Sequence, residues 1–161
     1  MSTTALDWHH ILDGKLPWAE LVVCSESEID DFVRDLPAGA VVRTIRGKRC
    51  TTLQSLFQEW AAAFQFPYYF GENWDAFEEC LCDLDWLPAE SYLVVVTEVE
   101  KTLARLDKQF HTLMDILASV SAHWKSESTS PRAGFRVLFH TNPNAEGMAR
   151  QRLEKAGMHS P

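Results

Sequence analysis

Carboxylates form the group of side chains in this sequence whose type and spacing could do chemistry. Between residues 72 and 85 the run ENWDAFEECLCDLD holds six of them and no Lys or Arg. Carboxylates at this density could act as general acid and base, hold a loose divalent cation or attract a cationic macromolecule. Because like charges repel each other, so acidic a run points to a purpose outside the chain.

The negative charge of the whole chain comes from one third of the sequence. Residues 50–100 contain ten acidic residues and no Lys, Arg or His, so their net charge is −10. The rest of the chain contains 13 acidic residues and 15 Lys plus Arg, a net charge of +2, and the whole chain therefore has a net charge of −8. Such a field repels nucleic-acid phosphates and steers a cationic partner toward it. A solubilising surface is the alternative interpretation, since charge runs usually serve that purpose.

Catalysis and metal binding are poorly supported by the residues. Acid–base chemistry needs carboxylates in different environments, but Asp75 and Glu79 are predicted to be similar and exposed. No nucleophile elbow, Gly-rich phosphate loop or Ser–His–Asp pattern is present. Cys80 and Cys82 are two apart on a helix and therefore lie on roughly opposite faces, a poor chelating geometry. We expect no catalytic residue, metal or cofactor.

The acidic run is predicted to be a helix over residues 73–85 that begins at the N-cap Asn73. Apolar residues spaced 3, 4 and 3 apart form a core-facing stripe of Trp74, Phe77, Leu81 and Leu84. The opposite face carries Asp75, Glu78, Glu79, Cys82 and Asp83. Each like-charge pair at i, i+4 costs about 0.2–0.5 kcal/mol. Partner binding and a merely solvated face both remain open, because folding could bring Arg43 or Arg105 alongside.

The elements around this helix predict an α/β fold. Strand-like runs at residues 20–24, 40–45, 91–99 and 135–141 alternate with helical patterns, including one over 51–64 and a long one over 102–125. A basic C-terminal stretch is either helical or frayed. This order favours a small, mostly parallel, three- to four-stranded sheet packed by helices. The N-terminus does not resemble a secretory signal and no apolar run is long enough for a spanning helix, so we expect a cytoplasmic protein with reduced cysteines.

The run PYYFGENWDAF at 67–77, followed by EECL, closely resembles the signature of the barstar family, which are small inhibitors of barnase-type ribonucleases. The resemblance covers roughly residues 40–141. It implies a barstar-like domain there, an N-terminal extension over 1–39 with a strand and a helix packed on the core, and a C-terminal tail over 142–161.

The resemblance also implies a mechanism and a binding surface. In the family's namesake a loop and an acidic helix plug the nuclease active site, carboxylates take the place of substrate phosphates and a tyrosine packs on a catalytic histidine. The implied partner-binding residues here are Tyr69, Phe70, Asn73, Asp75, Glu78, Glu79, Cys82 and Asp83. The namesake has aspartate at Glu79 and a large aromatic residue at Glu78, and it carries a further acid where the region near Ser119 is uncharged.

The function expected from the sequence is therefore inhibition of a ribonuclease, for self-protection or for immunity to a toxin. The partner is expected to be basic and bound one-to-one by a chain that is monomeric when free, without direct contact to nucleic acid or membrane. The alternative is a barstar-like interaction module that binds a basic partner other than a nuclease through the same face, because a fold does not fix a function.

Overall fold

A computed structural model describes residue 11 and residues 17–35, 37–127 and 134–158. Within them the chain forms four strands and five α-helices. Their bounds, in chain order, are β1 (Ala19–Val23), α1 (Glu26–Arg34), β2 (Ala40–Arg46), α2 (Leu53–Phe64), α3 (Trp74–Asp83), β3 (Ser91–Thr97), α4 (Asp107–Glu127), β4 (Gly134–Thr141) and α5 (Glu146–Lys155).

All four strands are parallel and lie in the order β1-β4-β3-β2. Ser91 at the start of β3 is paired with Ala40 of β2 on one side and with Gly134 of β4 on the other. The apolar run YLVVV in β3 is buried throughout, as expected for a central parallel strand with both faces covered. The structure confirms the predicted α/β fold with a small parallel sheet packed by helices.

The two faces of the sheet are covered unequally. On one face, Ile29 and Phe32 of α1 belong to a small buried cluster with strand residues that include Val42 and Leu138. The other face carries the main core, to which helices α2 to α5 contribute. Since α3 belongs to this second layer, its inner side is fixed by the main core while its outer side is left to solvent.

Two helix boundaries differ from the sequence prediction. The long helix begins at Asp107 rather than at 102, because the preceding residues form a short 3₁₀ turn and Leu103 has a left-handed backbone with φ of 49°. The Arg152 guanidinium donates to the Thr102 and Leu103 carbonyls, and the Leu106 N–H closes a separate turn onto the Leu103 carbonyl at 2.9 Å before the helix begins. The acidic helix ends at Asp83 rather than 85, where Leu84 adopts a left-handed cap.

The segments outside the resemblance contribute regular structure where they are described. Residues 17–35 provide the edge strand β1 and the helix α1, and residues 143–155 provide a 3₁₀ turn and α5. Parts of the proposed 1–39 extension and 142–161 tail lie outside the described residues, and the division into these three regions stays a prediction. No helix in the described ranges has the length and apolar character needed to cross a membrane.

Candidate protein-binding site

The start of α3 is fixed by the residue predicted to cap it. Asn73 Oδ1 accepts a hydrogen bond from the Ala76 N–H at 2.9 Å, and its Nδ2 donates to the Gly71 carbonyl at 3.2 Å. The amide therefore satisfies one of the open N–H groups of the first turn and also ties down the preceding loop. Its role in the structure is that of a positioning residue.

The inner side of α3 is anchored by aromatic packing and by hydrogen bonds to α4. Phe77 and Leu81 are fully buried and Trp74 is half-buried against Phe57, with ring centroids 5.0 Å apart. Trp74 Nε1 donates to the Gln109 side-chain oxygen, and the Trp124 indole of α4 donates to the Leu81 carbonyl at 2.8 Å. The helix is thus held in place before any partner arrives.

The carboxylates of the 72–85 segment have no ion-pair partner among the residues that the structure describes. Five of the six are exposed and Glu78 is partly buried. The ion pairs whose partners both lie in the described ranges are Arg46–Glu59, Lys101–Glu98 and Arg150–Glu146, and none includes a carboxylate of this segment. Neither Arg43 nor Arg105 forms an ion pair with them, so these two arginines do not neutralise the acidic face.

The last two acids of the segment repel each other. A hydrogen bond with the Asp83 carboxylate, and then the charge of that carboxylate, raise the pKa of Asp85 above its ordinary value. Both groups also lie at the C-terminus of α3, where the helix dipole disfavours negative charge. The fold therefore keeps an electrostatically unfavourable arrangement at this end of the helix.

Glu78 and Cys82 are both partly buried, and Glu78 contacts α4. The Ser119 hydroxyl of α4 donates to Glu78 Oε1 at 2.9 Å. Cys82 is partly buried, and burial followed by the charge of Glu78 raises the pKa of its thiol. The predicted face of α3 is consequently divided: Asp75, Glu79 and Asp83 are exposed, while Glu78 and Cys82 are partly buried.

The loop before α3 separates its aromatic residues into inner and outer ones. Phe70, which is predicted to contact the partner, is partly buried, and its ring packs on Phe66 and Phe57, with centroids 5.0 and 5.9 Å away. Tyr69 is 68% exposed, and Tyr68, which the sequence analysis did not select, is 101% exposed. The sequence signal for an exposed Tyr68 was the tyrosine pair that follows Pro67. Apolar residues flank the pair on both sides and take the places in the core, which leaves the tyrosines outside.

A metal centre finds no support in the described part of the chain. No group of three His, Cys, Asp or Glu side chains there is arranged to hold a metal ion. The buried thiols are also poor thiolates: burial raises the pKa of Cys24 to about 11 and that of Cys50 to about 12. What the site offers is a rigid acidic helix beside an exposed pair of tyrosines.

Comparison with solved structures and curated proteins adds little about function. Drosophila ORC bound to AT-rich DNA and Cdc6 is similar over 94% of this chain and 50% of that chain, with 15% identity and a TM-score of 0.53. Drosophila ORC bound to DNA is similar over 94% of this chain and 82% of that chain, with 15% identity and a TM-score of 0.52. The chain thus spans half the length of the first of these, and such low identity shows the fold alone. Comparison with curated proteins found no match.

Comparison with protein families identifies the chain. The family described as Barstar (barnase inhibitor) matches residues 40–139, which is more than half of the sequence. This range begins with β2 and runs through α2, α3, β3 and α4 to β4, so it contains the tyrosine pair and the acidic helix. The protein belongs to the barstar family.

Proposed function

We propose that this protein inhibits a ribonuclease by inserting α3 and the loop before it into the cationic active site of the enzyme. One observation carries the proposal: the exposed carboxylates at 72–85 have no ion-pair partner among the described residues, although their mutual repulsion disfavours the helix. Membership of a family described as barnase inhibitors supports this proposal.

The proposed mechanism is occlusion without catalysis or cofactor. An active site that cleaves RNA must bind phosphate and is therefore cationic, so exposed carboxylates can take the place of phosphates. Glu79 is proposed as the central carboxylate, with Asp75 and Asp83 one turn away on either side. Because α3 is already anchored through Trp74 and Trp124, little conformational entropy is lost on binding.

The remaining predicted site residues receive supporting roles. Tyr69 is proposed as an aromatic contact beside the charges, where interfaces commonly concentrate their binding energy. Asn73 and Phe70 position the loop and the helix, and Glu78 with Cys82 forms the edge of the surface next to α4. A one-to-one complex, a monomeric free chain and a cytoplasmic location belong to the proposal as predictions.

A second candidate function uses the same surface. The chain would then bind a basic protein that is not a nuclease. The hydrogen bond between Glu78 and Ser119 favours this second function. It holds the Glu78 carboxylate against α4 at a position where the namesake of the family has a large aromatic residue, so the two binding surfaces differ there. Such a partner would be bound through Asp75 and Glu79 without any effect on RNA cleavage.

A titration assay tests the proposal. The purified chain is added to a barnase-type ribonuclease while cleavage of a fluorescent RNA is followed, and cleavage is expected to stop at one equivalent. The Asp75→Ala/Glu79→Ala variant is expected to restore cleavage, whereas Glu154→Ala, which removes an exposed acid from α5, is expected to inhibit like the wild type. Undiminished cleavage in the presence of excess wild-type chain would contradict the proposal for this class of nuclease.

A further inference from the structure

The turn before α3 is an unusual feature of the surface. Among the described residues only four large hydrophobic side chains are exposed, namely Tyr68, Tyr69, Leu106 and Met148. Two of the four are adjacent in the sequence, and their rings meet edge to face with centroids 5.8 Å apart. Exposed aromatic residues clustered at one place mark an interaction surface more strongly than apolar residues scattered singly.

The turn is rigid although its tip is exposed. The Phe70 N–H donates to the Pro67 carbonyl at 2.9 Å, which closes a turn with both tyrosines at its central positions. On either side, Phe66 and Phe70 pack on each other and on the aromatic core, and the Phe66 ring also meets Trp86 at 6.4 Å. A turn anchored at both ends displays its tip with little backbone entropy left to lose on binding.

The tyrosine pair is close enough to the acidic helix for one partner to contact both. Tyr69 and Asp75 are six residues apart, so their Cα atoms are separated by at most roughly 20 Å. The intervening loop is fixed by the hydrogen bond from the Asn73 side chain to Gly71. One interface of standard size, about 800 Å² per partner, therefore covers the turn and the exposed carboxylates together.

The chemistry of the pair points to a cationic side chain. Tyrosine ring faces attract guanidinium and ammonium groups, and the attraction strengthens when water is excluded. The neighbouring carboxylates of Asp75 and Glu79 already attract a basic surface. We propose that Tyr68 is a specificity-determining contact residue and that Tyr68 and Tyr69 together receive a cationic side chain, preferably arginine, from the partner bound by α3. This inference rests on the proposed function for the identity of the partner.

Two kinds of contact with different salt dependence follow from this arrangement. Besides their contacts inside the complex, carboxylates at the exposed face of α3 exert a long-range attraction, which accelerates association and which salt screens. A tyrosine desolvated in the complex acts at short range and chiefly slows dissociation. The loss caused by removing Tyr68 should therefore change little with salt, while the loss caused by removing Glu79 should shrink.

Surface plasmon resonance at about 50 and 500 mM salt tests the inference. The probes are a barnase-type ribonuclease inactivated at its catalytic base and lysozyme, a basic protein that cleaves no RNA. Tyr68→Ala is expected to raise Kd about tenfold or more, mainly through faster dissociation, and by a similar factor at both salt concentrations. Tyr68→Phe, which keeps the ring, is expected to bind like the wild type, as is the matched control Met148→Ala, which truncates another exposed apolar side chain.

The outcomes separate this inference from the proposed function. If the wild type binds the nuclease and Tyr68→Ala binds equally well, the role of Tyr68 is overturned and nuclease inhibition stands. If the wild type binds only lysozyme and Tyr68→Ala weakens that binding, nuclease inhibition is overturned for this class and the tyrosine contact stands. If the wild type binds neither probe, both are overturned.

Discussion

Two groups of carboxylates in this protein have opposite surroundings. Those of the 72–85 segment are mostly exposed and pair with no cation in the described part of the chain, whereas Glu98 and Glu100, just after β3, are buried. Glu98 accepts a hydrogen bond from Lys101 at 2.7 Å, and Glu100 accepts one from the Thr141 hydroxyl at 2.9 Å. Exposed carboxylates without partners are suited to binding another molecule, whereas buried carboxylates with partners stabilise the fold. Both groups nevertheless lie in the same acidic third of the sequence.

Residues around the buried carboxylates join the ends of three neighbouring strands. The Glu98 N–H donates to His140 Nδ1 at 3.2 Å, so the proton of the neutral ring lies on Nε2, which contacts the Cys24 carbonyl at 3.0 Å. These contacts link the residues that follow β1 and β3 to β4. Removing a buried acid here should affect folding, and removing an exposed acid from α3 should affect binding.

The largest effect is expected from the exposed group. Asp75→Ala/Glu79→Ala is expected to weaken partner binding about 30-fold or more, because central charged contacts are typical hot spots. Its melting temperature should stay the same or rise slightly, since two repelling charges are removed from one helix face. Calorimetric titration against the nuclease and thermal melting of the free variant measure the two quantities. A variant that fails to fold, or that binds like the wild type, would show that the acidic face has been misassigned.

The next largest effect is expected from the buried group. Glu100→Ala removes the nearer acceptor of the Thr141 hydroxyl and leaves it only the Asn142 carbonyl at 3.5 Å, and a buried polar group left poorly satisfied costs about 1–3 kcal/mol. Urea denaturation should show this as a lower midpoint, while partner affinity stays at the wild-type level. The control is Glu154→Ala on α5, which is exposed and should leave the midpoint unchanged. Equal midpoints for Glu100→Ala and wild type would remove the distinction between the two groups.

A smaller effect is expected from replacing Glu59, which lies in the acidic third of the sequence but forms an ion pair. Arg46 donates to both carboxylate oxygens of Glu59, at 2.9 and 3.2 Å. Because the pair is largely exposed on the arginine side, Glu59→Ala should lower the melting temperature by a few degrees at most, and less at high salt. A rise in melting temperature, as expected for the α3 acids, would show that Glu59 belongs with the unpaired group.

The smallest effect is expected in the pH dependence of stability. Since Asp83 raises the pKa of Asp85 in the folded chain, the folded state binds more protons than the unfolded state above the ordinary carboxyl pKa of about 3.9. Stability should therefore fall as pH rises through this window, and Asp85→Asn should remove that part of the dependence. Urea denaturation between about pH 3 and 6 at low salt measures it. Parallel curves for Asp85→Asn and wild type would argue against repulsion at this end of α3.

Much of the fold was predictable because local patterns and packing agree. The strands at 40–46 and 91–97 and the helix α2 follow the predicted runs closely, and Asn73 caps α3 as expected. The start of α4 was not predictable, because the apolar spacing of Leu103 continues the helical pattern. Its left-handed backbone and the hydrogen bonds from Arg152, nearly fifty residues later in the chain, end that pattern before Asp107.

By itself, the sequence determined the class of fold, the cap and inner stripe of α3, and the accumulation of negative charge in one third of the chain, because these depend on residue type and near spacing. The tertiary structure alone decided which acids find partners and which aromatic residues remain outside. Phe70 turns inward because Phe57 and Phe66 offer it a ring contact, and Tyr68 is left at the tip of the turn. Glu100 is buried against the Thr141 hydroxyl, which is distant in sequence, and Glu98 is buried beside its near neighbour Lys101, whereas no cation reaches the acids of α3 within the described residues.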